Sequence, residues 1–342
     1  MIKINGSFKE GGGALLRVST ALSTFTGKAF CINNIRAGRP KPGMMMQHLK
    51  AALALGNLSN AQYTGLKIGS TQMTFNPHQL KGGKLDVDIE TAGSISLVLQ
   101  AIMIPAIFAP EGVEIKIRGG TDVRWAPSVD YLRNVTLPIL QSMGVKMELE
   151  LLRRGHYPKG GGLVHATIEP VRRLKPLNLH DLEVDILKGL SDSSRLPRHV
   201  ATRQAESAEK TLLSAGYEVE VEIESSDDVR GPGSGLVLWS ECKGKNTPRV
   251  GASCLGKPGK KAEIVGSEAA KELLLCLSRE AALDKYMGDQ IIPYLAISGS
   301  SSVKIAELTN HTLTNIYAAQ KFTGRNFIIN GSLGEVAVIE VE

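Results

Sequence analysis

The first 90 residues carry a pattern of apolar and polar positions that predicts two helices interleaved with strands. From Gly12 onward, apolar side chains recur at three- and four-residue intervals and the pattern ends at Gly27, which is typical of an amphipathic helix with a C-terminal glycine. Residues 28–38 read as a strand, and a second helix is predicted after Pro42 and Gly43. Two further segments alternate like strands, at residues 64–75 and 84–90.

The same order of elements recurs in the next 80 residues. The predicted elements are a helix at 94–108, a strand at 113–120, a helix at 128–144, and strands at 145–152 and 162–170. A proline precedes the second helix of each copy, at Pro42 and Pro127, a separation of 85 residues (127 − 42). This recurrence predicts an internal repeat of type βαβαββ.

A third copy is predicted to be interrupted by an insertion. Its helix pair is expected at 287–298 and 312–324, followed by strands at 325–332 and 334–342. The preceding stretch has helices and strands of its own, at 199–216, 266–281, 217–225 and 235–243. We therefore predict an α/β (α+β) fold, in which residues 1–183 and 281–342 form a domain of three βαβαββ repeats and residues 184–280 form an inserted α/β domain.

The composition excludes several classes of protein. Of the 342 residues, 42% are hydrophobic and 22% are charged, as in an ordinary globular protein rather than a disordered or collagen-like one. The longest apolar run, residues 95–110, is shorter than the ~20 residues of a membrane-spanning helix, and no signal peptide is evident, so we expect a cytoplasmic protein. The four cysteines are scattered without a C-x-x-C pair, which predicts free thiols; Cys276 or the insertion could support a homodimer.

The charge favours an anionic partner without requiring one. The net charge is +6, and basic residues cluster beside glycine or proline in three predicted loops. These clusters contain Arg36, Arg39 and Lys41; Arg153, Arg154 and Lys159; and Arg195, Arg198 and Arg203. The third cluster, in the predicted insertion, is either a contact for an anionic partner or a solvated face.

Glycines and basic residues near the N-terminus suggest an anion site. Residues 10–13 form a glycine-rich turn at a predicted helix start, where exposed backbone amides attract anions. Glu10 is either a helix-start charge or a metal ligand. Arg17, Arg36 and Arg39 could converge on one phosphate through bidentate hydrogen bonds, or could be solvated.

Two further polar residues occur at chemically informative positions. Gln100 interrupts an apolar helix and is either a satisfied core amide or a ligand contact. His311 follows Asn310, the predicted cap of the last helix, so the helix dipole would keep its imidazole neutral. A neutral imidazole beside an anion site suits nucleophilic attack on phosphorus, although most histidines at helix starts are structural.

Seven motifs now add up to a known pattern. In chain order they are EGGGALLR (10–17), IRAGRPKPG (35–43) with Gln47 and His48, TAGSISLVLQ (91–100), GGTD (119–122) with Ala126 and Pro127, HYPKGGG (156–162), YMGDQ (286–290) and NHTLTN (310–315). Over essentially its whole length the chain resembles the RNA 3′-terminal phosphate cyclase family. That resemblance implies three βαβαββ repeats, similar to those of enolpyruvyl transferases, that form the catalytic domain, with an inserted domain in the last repeat.

The resemblance also implies an activity and a set of site residues. The reaction would use ATP and a divalent cation (Mg or Mn) to convert an RNA 3′-phosphate to a 2′,3′-cyclic phosphodiester, through a covalent histidine adenylate and an RNA adenylate. His311 matches the nucleophile, and Glu10 matches the metal ligand. The residues that match the phosphate and RNA-end pocket are Arg17, Arg36, Arg39 and Gln47. The residues that match the nucleotide site are Gln100, Pro127, Tyr286, Met287, Gly288, Asp289 and Gln290. In that site, the resemblance implies that Tyr286 stacks on adenine opposite Pro127.

Two other functions are compatible with parts of this pattern. A eukaryotic relative in the same family does not cyclise RNA and acts as a binding protein in ribosome biogenesis, but it lacks the histidine that matches His311. Enolpyruvyl transfer on the shared repeat would predict two equal domains without an insertion. In the YMGDQ motif, the RNA 3′-terminal phosphate cyclase family often has Leu-Ala where this chain has Met287-Gly288. This difference leaves the polar residues of the motif unchanged.

Overall fold

The computed structural model describes residues 1–242 and 248–342 and confirms the predicted α/β repeat. In these residues four sheets of four strands each are formed. Three of the sheets share one strand order, in which the first pair is parallel and the other two pairs are antiparallel. A parallel pair needs a crossover connection, and a helix supplies it in each repeat.

The first repeat runs as predicted with one exception. Its elements are β1 (Ile2–Asn5), α1 (Ala14–Thr26), β2 (Phe30–Asn33), α2 (Met46–Ser59), β3 (Gln62–Thr64) and β4 (Met73–Asn76), in the sheet order β1-β2-β4-β3. Gly27 ends α1 with φ at 68°, the left-handed conformation that favours glycine. The single strand predicted at 64–75 is wrong, because a turn separates the end of β3 from β4.

The second repeat has the same topology. Its elements are β5 (Gly83–Asp88), α3 (Ile95–Ala106), β6 (Val113–Gly119), α4 (Val129–Tyr131), a π-helical turn (Leu132–Thr136), α5 (Leu137–Ser142), β7 (Lys146–Arg153) and β8 (Gly162–Glu169). The sheet order is β5-β6-β8-β7. The helix predicted at 128–144 is therefore continuous but changes its hydrogen-bond pattern in the middle.

After β9 (Asn178–Leu179) the chain forms a separate sheet before the third repeat resumes. This part contains β10 (Val184–Ser194), α6 (His199–Ser214), β11 (Val219–Ser226), β12 (Gly233–Cys242), β13 (Gly251–Leu255) and α7 (Ala262–Leu277), with the sheet order β11-β10-β12-β13. Its buried apolar residues, including Leu212, Leu238 and Leu273, form a cluster distinct from the main core. The last residue of the strand predicted at 235–243, like the rest of 243–247, lies outside the described residues.

The third repeat is completed by the C-terminal segment. Its elements are α8 (Lys285–Gln290), α9 (Ile292–Ser298), β14 (Ser301–Ile305), α10 (Asn310–Thr323), β15 (Phe327–Asn330) and β16 (Ala337–Val341), and β14 pairs in parallel with β9. The sheet order β9-β14-β16-β15 repeats that of the first two sheets. Helix α1 packs against both α3 and α10, so helices from all three repeats meet in one core.

Arg154 connects the second repeat to the separate sheet. Its Nη1 donates to Asp130 Oδ2 at 2.7 Å and to Asp122 Oδ2 at 3.3 Å, and its Nη2 donates to Glu224 Oε2 on β11 at 2.7 Å. The side chain is buried, so Arg154 does not belong to an exposed basic cluster, contrary to the sequence pattern. A buried cation needs such paired carboxylates, and here they come from two parts of the fold.

The structure also bears on the cysteines and on membrane insertion. The predicted free thiols are confirmed for all four cysteines. Cys276 is buried in the cluster around α7, and this burial raises the pKa of its thiol to about 12. That Cys276 or the insertion supports a homodimer stays a prediction. Among the described residues, no helix is both long and apolar enough to cross a membrane.

Candidate active site

A pocket with several polar side chains in its lining lies where helices from the three repeats meet. It amounts to about 520 Å³ of space between α1, α3, α8, α9 and α10, part of which is open to solvent. Its polar lining includes Arg17, Gln100, Asp289, Gln290 and His311, five residues that the sequence singled out. The fold thus brings together positions that are up to 294 residues apart (311 − 17).

The glycine-rich turn before α1 packs closely against the loop that precedes α2. The amide of Gly38 donates to the carbonyl of Gly11 at 2.9 Å, and Gly11 has φ at 59°. A Cβ on Gly13 would lie 2.1 Å from Nε2 of His48, so only glycine fits at that position. This packing brings the arginine-containing loop to the N-terminus of α1.

His48 is a buried residue that the sequence analysis did not select as a candidate. The Met45 amide donates to its Nδ1 at 3.4 Å. Burial, with Arg17 and Arg36 adding to the effect, lowers the pKa of His48 to about 3. Its imidazole is therefore neutral at physiological pH, and the only sequence signal was its position beside Gln47 in a matching motif.

Glu10 lies between Arg39 and His311. One carboxylate oxygen, Oε1, forms an ion pair with Arg39 Nη2 and lies 3.8 Å from His311 Nε2. The other oxygen, Oε2, is buried without a hydrogen-bond partner. An unpartnered buried carboxylate oxygen is costly, and a bound cation or donor would relieve that cost.

His311 lies in the first turn of α10. The cap of this helix is Thr309, whose Oγ1 accepts from the Thr312 amide at 3.1 Å, so the prediction of Asn310 as the cap is wrong by one residue. Burial lowers the pKa of His311; Glu10 opposes this effect, while Arg17 and Arg39 add to it. The expected neutral imidazole therefore has two physical causes besides the helix dipole.

Asp289 faces the same pocket from the end of α8. Burial raises its pKa to about 8, although Arg17 partly opposes this shift; Asp284 and Glu10 add to it. The carboxyl group is therefore largely protonated at neutral pH and can donate a hydrogen bond as well as accept one. A neutral acid is suited to contact uncharged polar groups, such as those of a nucleoside.

Two amide side chains point unpartnered atoms at the pocket. Gln100 Nε2 and Asn315 Oδ1 are buried without hydrogen-bond partners in the described structure. Asn315 uses its Nδ2 to donate to the Asp289 carbonyl at 2.7 Å, which fixes its orientation. Leaving each such atom unpaired costs about 1–3 kcal/mol, so both are positioned to bind a polar ligand.

The remaining predicted nucleotide positions lie outside the pocket lining. The ring of Tyr286 is 39% exposed, and its hydroxyl donates to Glu272 Oε1 at 3.0 Å. Pro127 is half-buried, and its carbonyl accepts from the Ser96 hydroxyl. Met287 is buried in the main core, while a Cβ on Gly288 would lie 3.1 Å from Ile305. The structure therefore places these last two positions in packing rather than at the pocket.

Three of the predicted phosphate positions, Arg36, Arg39 and Gln47, lie at the rim formed by the two packed loops, whereas Arg17 lines the pocket itself. Arg36 uses Nη1 to donate to the carbonyls of Lys41 and Gly43, both at 2.8 Å, which holds the loop in shape. Gln47 Oε1 accepts from the Ser94 amide at 3.0 Å, at the start of α3.

The basic cluster near α6 is divided by its contacts. Arg195 and Arg198 are exposed and their side chains have no ion pairs in the described structure. Arg203 instead forms a bidentate pair with Glu263 on α7, at 2.7 and 2.9 Å. Only the first two arginines are therefore free to meet a phosphate.

Glu10 has a buried, unpartnered carboxylate oxygen that is suited to a metal. The described residues contain no group of three or more histidine, cysteine or acidic side chains arranged for a metal ion. Mg²⁺, however, is commonly held by one or two carboxylates together with substrate phosphates. The unpartnered Oε2 of Glu10 fits that kind of site.

Comparisons with known proteins place the chain in a family. The family model for RNA 3′-terminal phosphate cyclase matches residues 8–329. Proteins named RNA 3′-terminal phosphate cyclase from Methanothermobacter thermautotrophicus and Pyrococcus furiosus are each 49% identical to this chain. Both alignments cover 100% of this chain; they cover 100% of the first relative and 98% of the second. The solved structure of the enolpyruvyl transferase NikO from Streptomyces tendae aligns with 49% of this chain and 33% of its own chain. The sequence identity is 14% and the TM-score is 0.26, so this similarity supports no conclusion about fold or reaction. On the sequence matches, this chain belongs to the RNA 3′-terminal phosphate cyclase family.

Proposed function

We propose that this protein uses ATP to convert the 3′-terminal phosphate of an RNA to a 2′,3′-cyclic phosphodiester. The observation that carries the proposal is one pocket that holds a neutral histidine, His311, beside Arg17 and Glu10. A nucleophile next to cationic groups suits a reaction at a phosphorus atom. Residues 1–183 and 281–342 would form the catalytic domain, and residues 184–280 the inserted domain.

In the first step, the imidazole of His311 attacks the α-phosphorus of ATP. A P–N bond forms, the bond from the α-phosphorus to the bridging oxygen breaks, and pyrophosphate leaves. Burial lowers the pKa of His311, which keeps the nitrogen lone pair available at neutral pH. Burial lowers the pKa of Arg17, an effect that Asp289 and Glu10 oppose, but a guanidinium group stays protonated in proteins, so Arg17 is positioned to balance the charge on the phosphates.

Gln100, Asp289 and Gln290 would contact the nucleotide from the pocket walls. The unpartnered Nε2 of Gln100 supplies a donor, and the protonated Asp289 supplies a second one. Pro127 and Tyr286 would reach adenine from outside this pocket, with Met287 and Gly288 supporting Tyr286 through packing. Glu10 would hold a divalent cation, Mg²⁺ or Mn²⁺, through Oε2, and the cation would neutralise charge on the ATP phosphates.

In the later steps the RNA end would occupy the rim. An oxygen of its 3′-phosphate attacks the adenylate phosphorus, the P–N bond breaks, and His311 regains its lone pair. The adjacent 2′-hydroxyl then attacks the activated 3′-phosphorus, loses its proton and expels AMP. Arg36, Arg39 and Gln47 lie at this rim and would hold the phosphate.

The test is a covalent labelling experiment. The protein is incubated with ATP labelled at the α-phosphate and a divalent metal, then denatured. We expect the wild type to retain acid-labile label, His311→Ala to lose it, and the exposed-histidine control His78→Ala to keep it. Transfer of the label to AMP on addition of RNA with a 3′-phosphate would support the cyclase reaction. Absence of label from the wild type would overturn the proposal and leave a non-catalytic RNA-binding role.

A further inference from the structure

Two aromatic side chains are unusually exposed on adjacent loops outside the pocket. Trp125 is 94% exposed and Tyr157 is 74% exposed, more than any other aromatic residue in the described structure. The backbones of Asp122 and His156 form a parallel bridge, so the segments that carry the two rings run side by side. Large exposed aromatic rings are unfavourable in water and mark interaction sites.

The backbone at Trp125 adds a second observation. Its φ is 62°, in the left-handed region that non-glycine residues rarely adopt. The tertiary structure thus holds a bulky residue in a strained conformation while leaving its ring in solvent. Backbone strain of this kind clusters at functional sites, including sites that hold ligands.

Cationic side chains lie on the same surface and are held there by close packing. A Cβ on Gly161 would lie 2.2 Å from Arg230 Cδ, and a Cβ on Gly231 would lie 2.7 Å from Lys159 Cγ. The loops that carry Lys159 and Arg230 therefore interleave through their glycines. Both cations are exposed, as is Arg124 beside Trp125.

These cations have no acidic partners. No side-chain hydrogen bond or ion pair is formed by Arg124, Lys159 or Arg230 within the described residues, although Asp227 and Asp228 are in the same loop as Arg230. Unpaired cations on the same loops as exposed aromatic rings match single-stranded nucleic acid, in which bases stack and phosphates bind cations. We call residues Arg124, Trp125, Tyr157, Lys159 and Arg230 the aromatic–basic surface.

This surface is continuous with the rim of the pocket. A Cβ on Gly160 would lie 2.9 Å from Ala92 Cα, so the Lys159 loop touches the turn before α3. Directly after that turn, the backbone amide of Ser94 donates a hydrogen bond to Gln47 Oε1 at 3.0 Å. An RNA strand whose 3′-phosphate lies at Gln47 can therefore pass directly onto the aromatic–basic surface.

We propose that the aromatic–basic surface binds the unpaired nucleotides immediately upstream of the RNA 3′-phosphate. Trp125 and Tyr157 stack on bases, while Arg124, Lys159 and Arg230 contact backbone phosphates. The surface reads no sequence, because every base has a face for stacking. This inference rests on the proposed cyclase function and extends it to the length and single-stranded character of the substrate.

The experiment compares cyclisation of 3′-phosphorylated RNAs of two, four and eight nucleotides. In the wild type, KM is expected to fall as the RNA lengthens. In a Trp125→Ala/Tyr157→Ala variant, KM for the eight-nucleotide RNA should rise about 10-fold or more, while KM for the dinucleotide should stay close to the wild-type value. Adenylation of His311 without RNA and the thermal unfolding temperature are measured for every variant to show that it is folded.

Salt dependence tests the cationic part separately. For a Lys159→Ala/Arg230→Ala variant, the slope of log affinity against log salt concentration should become less steep by about 1.4, from roughly 0.7 for each lost phosphate contact. Matched controls are Tyr63→Ala, a partly exposed ring on β3, and Arg172→Ala/Arg173→Ala, an exposed cation pair. Both controls should retain the wild-type dependence on length and on salt.

The outcomes separate this inference from the proposed function. Cyclisation by the wild type with an unchanged length dependence in the Trp125→Ala/Tyr157→Ala variant would overturn the RNA path and leave the cyclase function intact. A wild type that neither forms the histidine adenylate nor cyclises RNA would overturn both.

Discussion

Replacing Gln100 by methionine should stabilise the free protein while weakening nucleotide binding. The Nε2 atom of Gln100 is buried without a hydrogen-bond partner and faces the pocket. Methionine has nearly the same length and helix propensity as glutamine, but it has no amide to desolvate. The substitution therefore removes an unsatisfied donor from a helix that is otherwise apolar.

The size of both effects follows from the unpaired amide. Leaving a buried donor unsatisfied costs about 1–3 kcal/mol. With an unfolding entropy of about 2 cal/mol/K per residue, a 342-residue chain that unfolds as one unit gains about 1.4 °C in Tm per kcal/mol, so Tm should rise by roughly 1.5–4 °C. Loss of one hydrogen bond to the nucleotide, about 0.5–1.5 kcal/mol, should weaken binding roughly 2- to 12-fold.

Calorimetry measures both quantities on the same samples. Unfolding is followed without ligand, and binding of a non-hydrolysable ATP analogue is titrated with Mg²⁺ present. Gln204 provides a matched control, because it is a fully buried helix glutamine whose Nε2 donates to Ser234 at 2.8 Å and whose Oε1 accepts from Ser191 at 3.1 Å. Gln204→Met should lower Tm. A lower Tm for Gln100→Met, or an unchanged affinity, would refute the assignment of the amide to a ligand.

Three further predictions concern charge. The pKa of Asp289 is raised to about 8 from an ordinary value near 3.8, so the native state binds this proton more tightly than the unfolded state does. The free energy of unfolding should therefore decline as pH rises from about 4 to 8. Asp289→Asn should reduce that decline in unfolding experiments across this range. Glu10→Gln should lower metal-dependent adenylation about 100-fold and abolish the thermal shift produced by ATP with Mg²⁺. Arg195→Ala/Arg198→Ala should weaken RNA binding and make its salt dependence less steep by up to about 1.4, as measured by fluorescence anisotropy.

Each of these predictions has a control and a contradicting result. Asp86→Asn changes an exposed carboxyl, and a pH profile of Asp289→Asn parallel to the wild type would contradict the raised pKa. Glu169→Gln alters an exposed acid at the end of β8, outside the pocket lining, and adenylation by Glu10→Gln at the wild-type rate would remove the carboxylate from metal binding. Unchanged RNA affinity and salt dependence in the Arg195→Ala/Arg198→Ala variant would show that this face is only solvated.

Local signals predicted much of the fold. The helix that ends at Gly27 has the predicted boundary, because a left-handed glycine terminates a helix through its own backbone. The recurrence of elements around Pro42 and Pro127 predicted the repeat, and three sheets with one strand order confirm it. Periodicity succeeded here because the apolar face of each helix packs on the same kind of partner in every repeat.

The missed strands depend on pairing partners distant in sequence. β9 has only two residues and is defined by its pairing with β14, more than 100 residues later. β10 has no clear alternation because its second half, including Ser191 and Ser194, is buried on both faces between neighbouring strands. A strand of this kind carries little periodic signal, since its environment and not its pattern fixes its position.

For the site, the sequence pointed to Glu10, Arg17, Gln100, Asp289 and His311, which the structure places in or beside one pocket. Only the tertiary structure decided which of their atoms are unpartnered, which groups are neutral, and that Arg154 is buried among carboxylates rather than free. Hydrogen-bond satisfaction and pKa depend on groups brought close in space from distant segments. The sequence encodes those contacts, but local patterns do not reveal them, because helices from three repeats must pack together before the pocket exists.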